Sequence, residues 1–270
     1  MPFLPTFAML GSGPAVLLLH DADSDHLGFA PQVELLASQG WRAIAWDMPG
    51  YRGSPPPPSG YSLPALAATA AHLLETLKIP HAHVVGHGVG AMVALELALR
   101  HPALVRRLVL VAGGPALDAE ARGHWVDSRL ELLAQYDGGA AAGEPPLARF
   151  AEQVVLRQTG RKAVPAGQAL ARHALAQLQP LAYRRMLQML TEYQEPVERY
   201  RQLAQPALLI GGGQDVCMPP ALLQTLANTL PDAVHMSLPE IGHWPQMENP
   251  EDFEGLLLSF LAARDQPALH

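Results

Sequence analysis

Short apolar runs alternate with longer stretches of helical spacing over most of this chain, the rhythm of a mostly parallel sheet covered on both faces. Ala15–His20 and Arg42–Met48 read as strands. Leu63–Ile79 reads as a helix closed by Pro80, His81–His87 as the next strand, and Gly88–His101 as the helix that follows it. Arg106–Gly113 reads as another buried strand, stopped by Gly113-Gly114-Pro115. The spacing then turns helical from about Ala116 to Gln205, in Asp127–Tyr136, Leu147–Gln158, Gly167–Leu178 and Pro180–Glu192. Strand signals return at Pro206–Ile210 and Ala233–Leu238, each followed by a helix, Pro220–Leu230 and Pro250–Ala263. This order predicts an α/β core made of residues 1–115 and 206–270, with residues 116–205 inserted between two strands of one sheet as a helical cap. Pro55–Pro58 reads as a stiff surface turn rather than a recognition motif.

Composition narrows the possible partners. At 270 residues and 49% hydrophobic, the chain can bury a large core. A formal charge of −7 argues against a surface that neutralises phosphates, so nucleic acid is not an expected partner. The apolar runs, such as Ala15–Leu19, are too short to span a bilayer, and no membrane association is expected. The single cysteine, Cys217, rules out an intramolecular disulfide and suits a reducing compartment. Residues Met1–His20 lack the basic start and small-residue cleavage site of a signal peptide. A cytoplasmic protein acting on a small molecule, as monomer or homodimer, is the expectation.

Reactive groups of an open parallel sheet collect at the carboxyl ends of its strands. Four segments fall there: His20-Asp21, Gly86-His87-Gly88-Val89-Gly90, Asp215 after Gly211-Gly212-Gly213, and His243 in Ile241-Gly242-His243-Trp244. Asp21-Ala22-Asp23-Ser24-Asp25 opens like a calcium loop, but His26 stands where that loop needs glycine and Gln32 where it needs glutamate. It reads as a solvated acidic loop. His81, His83 and His87 lack zinc-ligand spacing, and neither a metal nor an organic cofactor is expected.

With Leu19-His20, the stretch Trp46-Asp47-Met48-Pro49-Gly50-Tyr51-Arg52-Gly53-Ser54 and the stretch Gly242–Glu251, the chain resembles the α/β-hydrolase fold superfamily over essentially its whole length, specifically its small bacterial members with a helical cap. The order elbow, acid, histidine is the triad order of that superfamily. The resemblance implies an α/β-hydrolase fold with a cap, His243 as general base and Asp215 as its orienter. It implies an oxyanion hole from the backbone N–H of Val89 and from the Asp21-Ala22 loop, and a supporting role in loop geometry for Asp47. His87 beside the elbow, with His20, Trp125 and Trp244, is a candidate for substrate contact. Trp125, Phe150, Tyr183, Met186, Met189 and Tyr193 offer the cap its apolar area.

The resemblance fails at the nucleophile position, where the elbow carries Gly88 in place of Ser, Cys or Asp. Glycine adopts the positive-φ conformation of an elbow freely, so the turn is expected to survive without its reactive atom. A second departure is Asp21 in the oxyanion loop; its carboxylate would oppose a developing negative charge, and it is expected to point to solvent. Cys217, Ser24 and Ser54 are weak substitutes for the missing nucleophile. Three explanations stay open, with a hydrolase acting on a small apolar carbonyl compound as the expectation and a base-only enzyme as the alternative to it. Either Gly88 inactivates a hydrolase of esters, lactones, amides or carbon–carbon bonds, or His243 activates water or acts as the base of a lyase or cofactor-free oxygenase, or the protein binds a small molecule without catalysis.

Overall fold

The computed structural model describes residues 4–57, 60–115, 119–136 and 143–263. Met1, Pro58, Ala116 and the last residues of the predicted core, 264–270, therefore lie outside the described residues, as do 137–142 of the predicted cap.

The strands are β1 (Phe7–Leu10), β2 (Ala15–Leu19), β3 (Arg42–Trp46), β4 (Ala82–His87), β5 (Val105–Val111), β6 (Ala207–Gly212) and β7 (Ala233–Leu238). They form one sheet in the order β1-β3-β2-β4-β5-β6-β7. Only β1 runs antiparallel, pairing Phe7 with Trp46 and Leu10 with Ala43. Alternate residues of the central strands feed two separate cores. Leu17, Leu19, Val84, Leu108, Leu110 and Leu209 join one, with helices α2 (Leu63–Thr76) and α3 (Val89–Arg100). Val16, Leu18, Val85, Val109, Leu208 and Ile210 join the other, with α1 (Ala30–Ser38) and α10 (Pro250–Ala262). Burial on both faces is why these strands read as unbroken apolar runs. β1 escaped the periodicity because it is an edge strand whose Met9 and Leu10 stay exposed.

Between β5 and β6 the described chain is helical: α4 (Ala119–Tyr136), α5 (Ala148–Gln158), α6 (Pro165–Ala176) and α7 (Pro180–Glu192). α4 starts earlier than the apolar spacing suggested. Arg122 and Arg129 are buried on it, so its inner face is partly cationic and breaks the hydrophobic pattern. α8 (Pro220–Thr229) follows β6, and a single turn, α9 (Pro245–Glu248), precedes α10. Among the described residues, no helix is long and apolar enough to cross a membrane.

Candidate active site

The elbow keeps its shape. β4 ends at His87, and Gly88 turns the chain at φ 54°, ψ −116° before α3 starts at Val89. Gly90 lets the new helix approach β2: a Cβ there would lie 2.0 Å from the Leu19 carbonyl oxygen. Gly88 differs, because what surrounds its missing side chain is another side chain. A Cβ at residue 88 would lie 1.9 Å from Asp21 Oδ1 and 2.1 Å from Asp21 Cγ.

Asp21 therefore does not face solvent, contrary to the expectation from its type; it is 5% exposed. Its carboxylate fills the volume that a nucleophile on residue 88 would need. Oδ1 accepts a 2.7 Å hydrogen bond from the N–H of Val89, the donor expected to hold a substrate oxyanion. Oδ2 lies 3.4 Å from Nε2 of His243. The physical reason for burial is that a backbone N–H and an imidazolium replace the water a carboxylate loses.

His243 and Asp215 meet as expected, with Nδ1–H of the histidine 2.9 Å from Asp215 Oδ2. The other Asp215 oxygen accepts from the N–H groups of Cys217 (2.8 Å) and Met218 (3.0 Å), which fixes the carboxylate. Burial works against a charged His243, but Asp215 first, with Cys217 and Asp21, outweighs it and holds its pKa well above the usual imidazole value. Burial likewise raises both carboxyls, and their contacts with His243 reverse the sign and leave Asp21 and Asp215 below the usual range. These shifts favour the pattern carboxylate, imidazolium, carboxylate.

Two neighbours that sequence reading left without a role position this histidine. Glu248 accepts from the N–H groups of Gly160, Gly242 and Trp244, at 2.8, 2.8 and 3.0 Å, which clamps the loop on both sides of His243. Gln158 accepts from the His243 N–H through its carbonyl at 2.9 Å, tying the loop to α5. The available signal for Glu248 was its place one helical turn after His243-Trp244-Pro245.

The acidic loop is not solvated either. Asp23 and Asp25 are buried along with Asp21, and each carboxylate finds a different partner. Asp23 pairs with Arg129 at 3.0 Å and accepts from the Tyr183 hydroxyl at 2.5 Å, linking the loop to α4 and α7. Asp25 accepts from Leu27 N–H and pairs with Arg52 at 2.5 Å. Asp47 holds loops together, accepting from the Thr6 hydroxyl at 2.8 Å and pairing with His26 at 2.7 Å.

A cavity of about 60 Å³ opens over this constellation. A single water needs roughly 10–15 Å³ by the same measure, so a small organic group fits. Asp21, Gly88, Val89 and His243 form its floor; Met92, Trp125, Leu190 and Met218 give it an apolar wall. Cys217 lines it too, but burial pushes its thiol pKa up, which disfavours the thiolate. Ser54 is buried with its hydroxyl on the Asp47 carbonyl, and Ser24 is buried with its hydroxyl on the Asp25 carbonyl.

Three of the four expected substrate contacts are placed elsewhere. His20 uses both ring nitrogens on backbone, Nδ1–H to the Asp21 carbonyl and Nε2 from the Met48 N–H. Burial pushes the His87 pKa down to about 4; this neutral ring donates from Nε2 to the His243 carbonyl and accepts at Nδ1 from Gln246. Trp244 is buried behind His243 and edges its ring at 5.8 Å between centroids. Trp125 alone of the four lines the cavity, and Ala22, whose carbonyl accepts from the Tyr51 hydroxyl, does not. The ligating atoms of Asp21, His87 and His243 lie within 4.8 Å of one another, as do those of Asp215, Cys217 and His243. Hydrogen bonds already engage both nitrogens of His87 and Nδ1 of His243.

Comparison with known proteins agrees with this architecture. The family model of the alpha/beta hydrolase fold matches residues 14–250. A Mycobacterium tuberculosis protein named non-heme bromoperoxidase BpoC is 31% identical over 258 residues, 94% of this chain and 95% of the other. A Yersinia enterocolitica protein named carbamate hydrolase RutD is 31% identical over 232 residues, 86% of this chain and 81% of its own. The crystal structure of BpoC superimposes with a TM-score of 0.82 at 29% identity, covering 97% of each chain. The chain belongs to the α/β-hydrolase fold family.

Proposed function

We propose that this α/β-hydrolase-fold protein hydrolyses a small, largely apolar organic molecule in the cavity above Gly88, with His243 and Asp215 managing the water and its protons. The observation that carries the reading is the Asp21 carboxylate, seated on the Val89 N–H and beside His243 where a serine hydroxyl would stand. Residue 88 has no reactive atom, so the ordinary serine route is closed. The space of a missing serine is not open to a water either, because Asp21 fills it. Catalysis therefore runs through the Asp21–His243–Asp215 trio. The close fit of Asp21 against the bare Gly88 supports a glycine that belongs there, rather than an isolated loss.

A lyase or oxygenase that begins by taking a proton from carbon needs His243 neutral in the resting site, a state the two flanking carboxylates oppose. Hydrolysis through Asp21 needs the neutral ring only once reaction has removed that carboxylate's charge. A pure binder has no use for three buried charges, each desolvated at a cost of several kcal/mol. The test is hydrolysis of a panel containing 4-nitrophenyl butyrate, a δ-lactone, a phenyl carbamate and 1-bromobutane by the wild type, Asp21→Asn and His243→Ala. Turnover of at least one compound is expected, falling by at least about 100-fold in both variants. Turnover that survives His243→Ala, or none on any compound, would overturn the proposal.

A further inference from the structure

We infer that Asp21 is the nucleophile, attacking through Oδ2 a saturated carbon that bears an anionic leaving group, the alkyl halides being the simplest class. The inference rests on the proposed hydrolytic role of this site and specifies its chemistry. Its ground is how the two oxygens of one carboxylate are used. Oδ1 is fixed at 2.7 Å on the Val89 N–H, whereas Oδ2 has, among the described residues, only the long 3.4 Å contact with His243 and belongs to a residue that lines the cavity. A carboxylate so held is positioned and ionised, the two requirements of a nucleophile.

The same hydrogen bond selects the substrate. Attack at a carbonyl would build an oxyanion on the substrate, and the Val89 N–H that should receive it is already bonded to Asp21. Displacement at a saturated carbon builds no such oxyanion. In the first step an Oδ2 lone pair forms the C–O bond while the carbon–halogen bond breaks, its electron pair leaving with the halide. The product is an alkyl ester of Asp21. Esterification removes the Asp21 charge that helps hold His243 protonated, and in this mechanism its Nε2 proton then passes to solvent, which with the halide accounts for the acid formed.

The second step uses the atoms where they stand. Neutral Nε2 takes a proton from a cavity water whose oxygen attacks Asp21 Cγ. The charge now gathers on Oδ1, and here the Val89 N–H finds its oxyanion. Collapse expels the alkoxide, which the imidazolium protonates to the alcohol. The Asp21 carboxyl then returns its proton to His243. Alkyl halide and water become alcohol, halide and one proton.

Oxygen bookkeeping tests this. In a single turnover of 1-bromobutane by excess wild-type enzyme in heavy-oxygen water, the butanol should carry ordinary oxygen and the label should appear in the peptide containing Asp21. His243→Ala, unable to activate water, should accumulate one butyl group on that peptide, and Asp21→Asn should accumulate none. Label passing directly into butanol, or a butyl group on Cys217 instead, would overturn the inference. Hydrolysis of 4-nitrophenyl butyrate that needs His243, without alkylation or labelling of Asp21, would overturn it too while leaving the hydrolase reading intact. Inactivity toward the whole panel with no adduct would overturn both.

Discussion

Restoring a serine at residue 88 tests whether Gly88 and Asp21 are one device. In an otherwise intact α/β-hydrolase site, Gly88→Ser should switch serine chemistry on. Here it should fail. The new Cβ would sit 1.9 Å from Asp21 Oδ1 and 2.1 Å from its Cγ, so the carboxylate must leave the Val89 N–H. Overpacking of this kind costs about 1–3 kcal/mol. The positive φ of 54° adds roughly 1–3 kcal/mol for a residue with a side chain. The single variant should therefore lose about 2–6 kcal/mol of stability, the sum of these two terms.

Asp21→Gly removes the obstacle, and glycine is required because the Asp21 Cβ alone would lie 2.8 Å from the new Cβ. By itself it leaves the Val89 N–H without its acceptor, a loss of about 1–3 kcal/mol. In the double variant the overpacking disappears, while the backbone strain and the unpaired Val89 N–H remain. The two substitutions should thus be non-additive by about 1–3 kcal/mol, the double being more stable than the sum of the singles. Urea unfolding of the four proteins measures this coupling. Burst kinetics with 4-nitrophenyl acetate supplies the second reading: a burst in the double variant and none in Gly88→Ser. Additivity within about 0.5 kcal/mol, or a burst in Gly88→Ser alone, would refute the reasoning.

Three further outcomes follow from the geometry. His243 has its folded pKa raised, so its contribution to stability is full below roughly pH 6.5 and is lost as pH rises through the folded value; Asp21, depressed, contributes above about pH 3.9 and loses that as pH falls through its own folded value. NMR titration should find His243 protonated at neutral pH in the wild type and titrating lower in Asp21→Asn; an unchanged midpoint contradicts the pairing. Arg129→Met strands the buried Asp23 carboxylate and should cost about 3–5 kcal/mol in urea unfolding, with a loss under 1 kcal/mol counting against the clamp. Glu248→Gln turns an amide N–H toward the backbone donors of Gly160, Gly242 or Trp244; about 1–3 kcal/mol of stability should go, and kcat should fall more than KM rises because His243 is displaced. Equal effects on kcat and KM would mean the loop is not Glu248's to hold.

How much of this was legible beforehand divides along physical lines. The central strands announced themselves because burial on both faces leaves unbroken apolar runs, and β7 and α7 fall on the residues the spacing predicted. The chain order of Gly88, Asp215 and His243 announced a site because parallel strands deliver their ends to one edge. β1 was silent, being short and half exposed, and so was α1, a nine-residue helix with Pro31 in its first turn whose buried residues are only Gln32, Val33 and Leu36. The acidic loop misled for a more instructive reason. Asp is a surface residue on average, and nothing local in Asp21-Ala22-Asp23-Ser24-Asp25 says otherwise. Its three carboxylates are buried by partners that lie far along the chain: Val89 and His243, Arg129 and Tyr183, Arg52.

Asp21 and Gly88 carry that point into the chemistry. Taken one at a time, a glycine at the elbow is a lost nucleophile and an aspartate in the oxyanion loop is an unwelcome charge. The structure puts the carboxylate of the second into the vacancy of the first, with its oxygens on the donor and the imidazole that a serine's reaction would have used. A side chain at residue 88 excludes Asp21 from that place, and without Asp21 the Val89 N–H and Nε2 of His243 would lose their carboxylate. On the proposed reading the two departures are a single exchange of reactive group between two loops. In the proposed mechanism the chemistry moves to the loop after β2 from the β4 elbow, while His243, Asp215 and the Val89 N–H stay where the fold puts them.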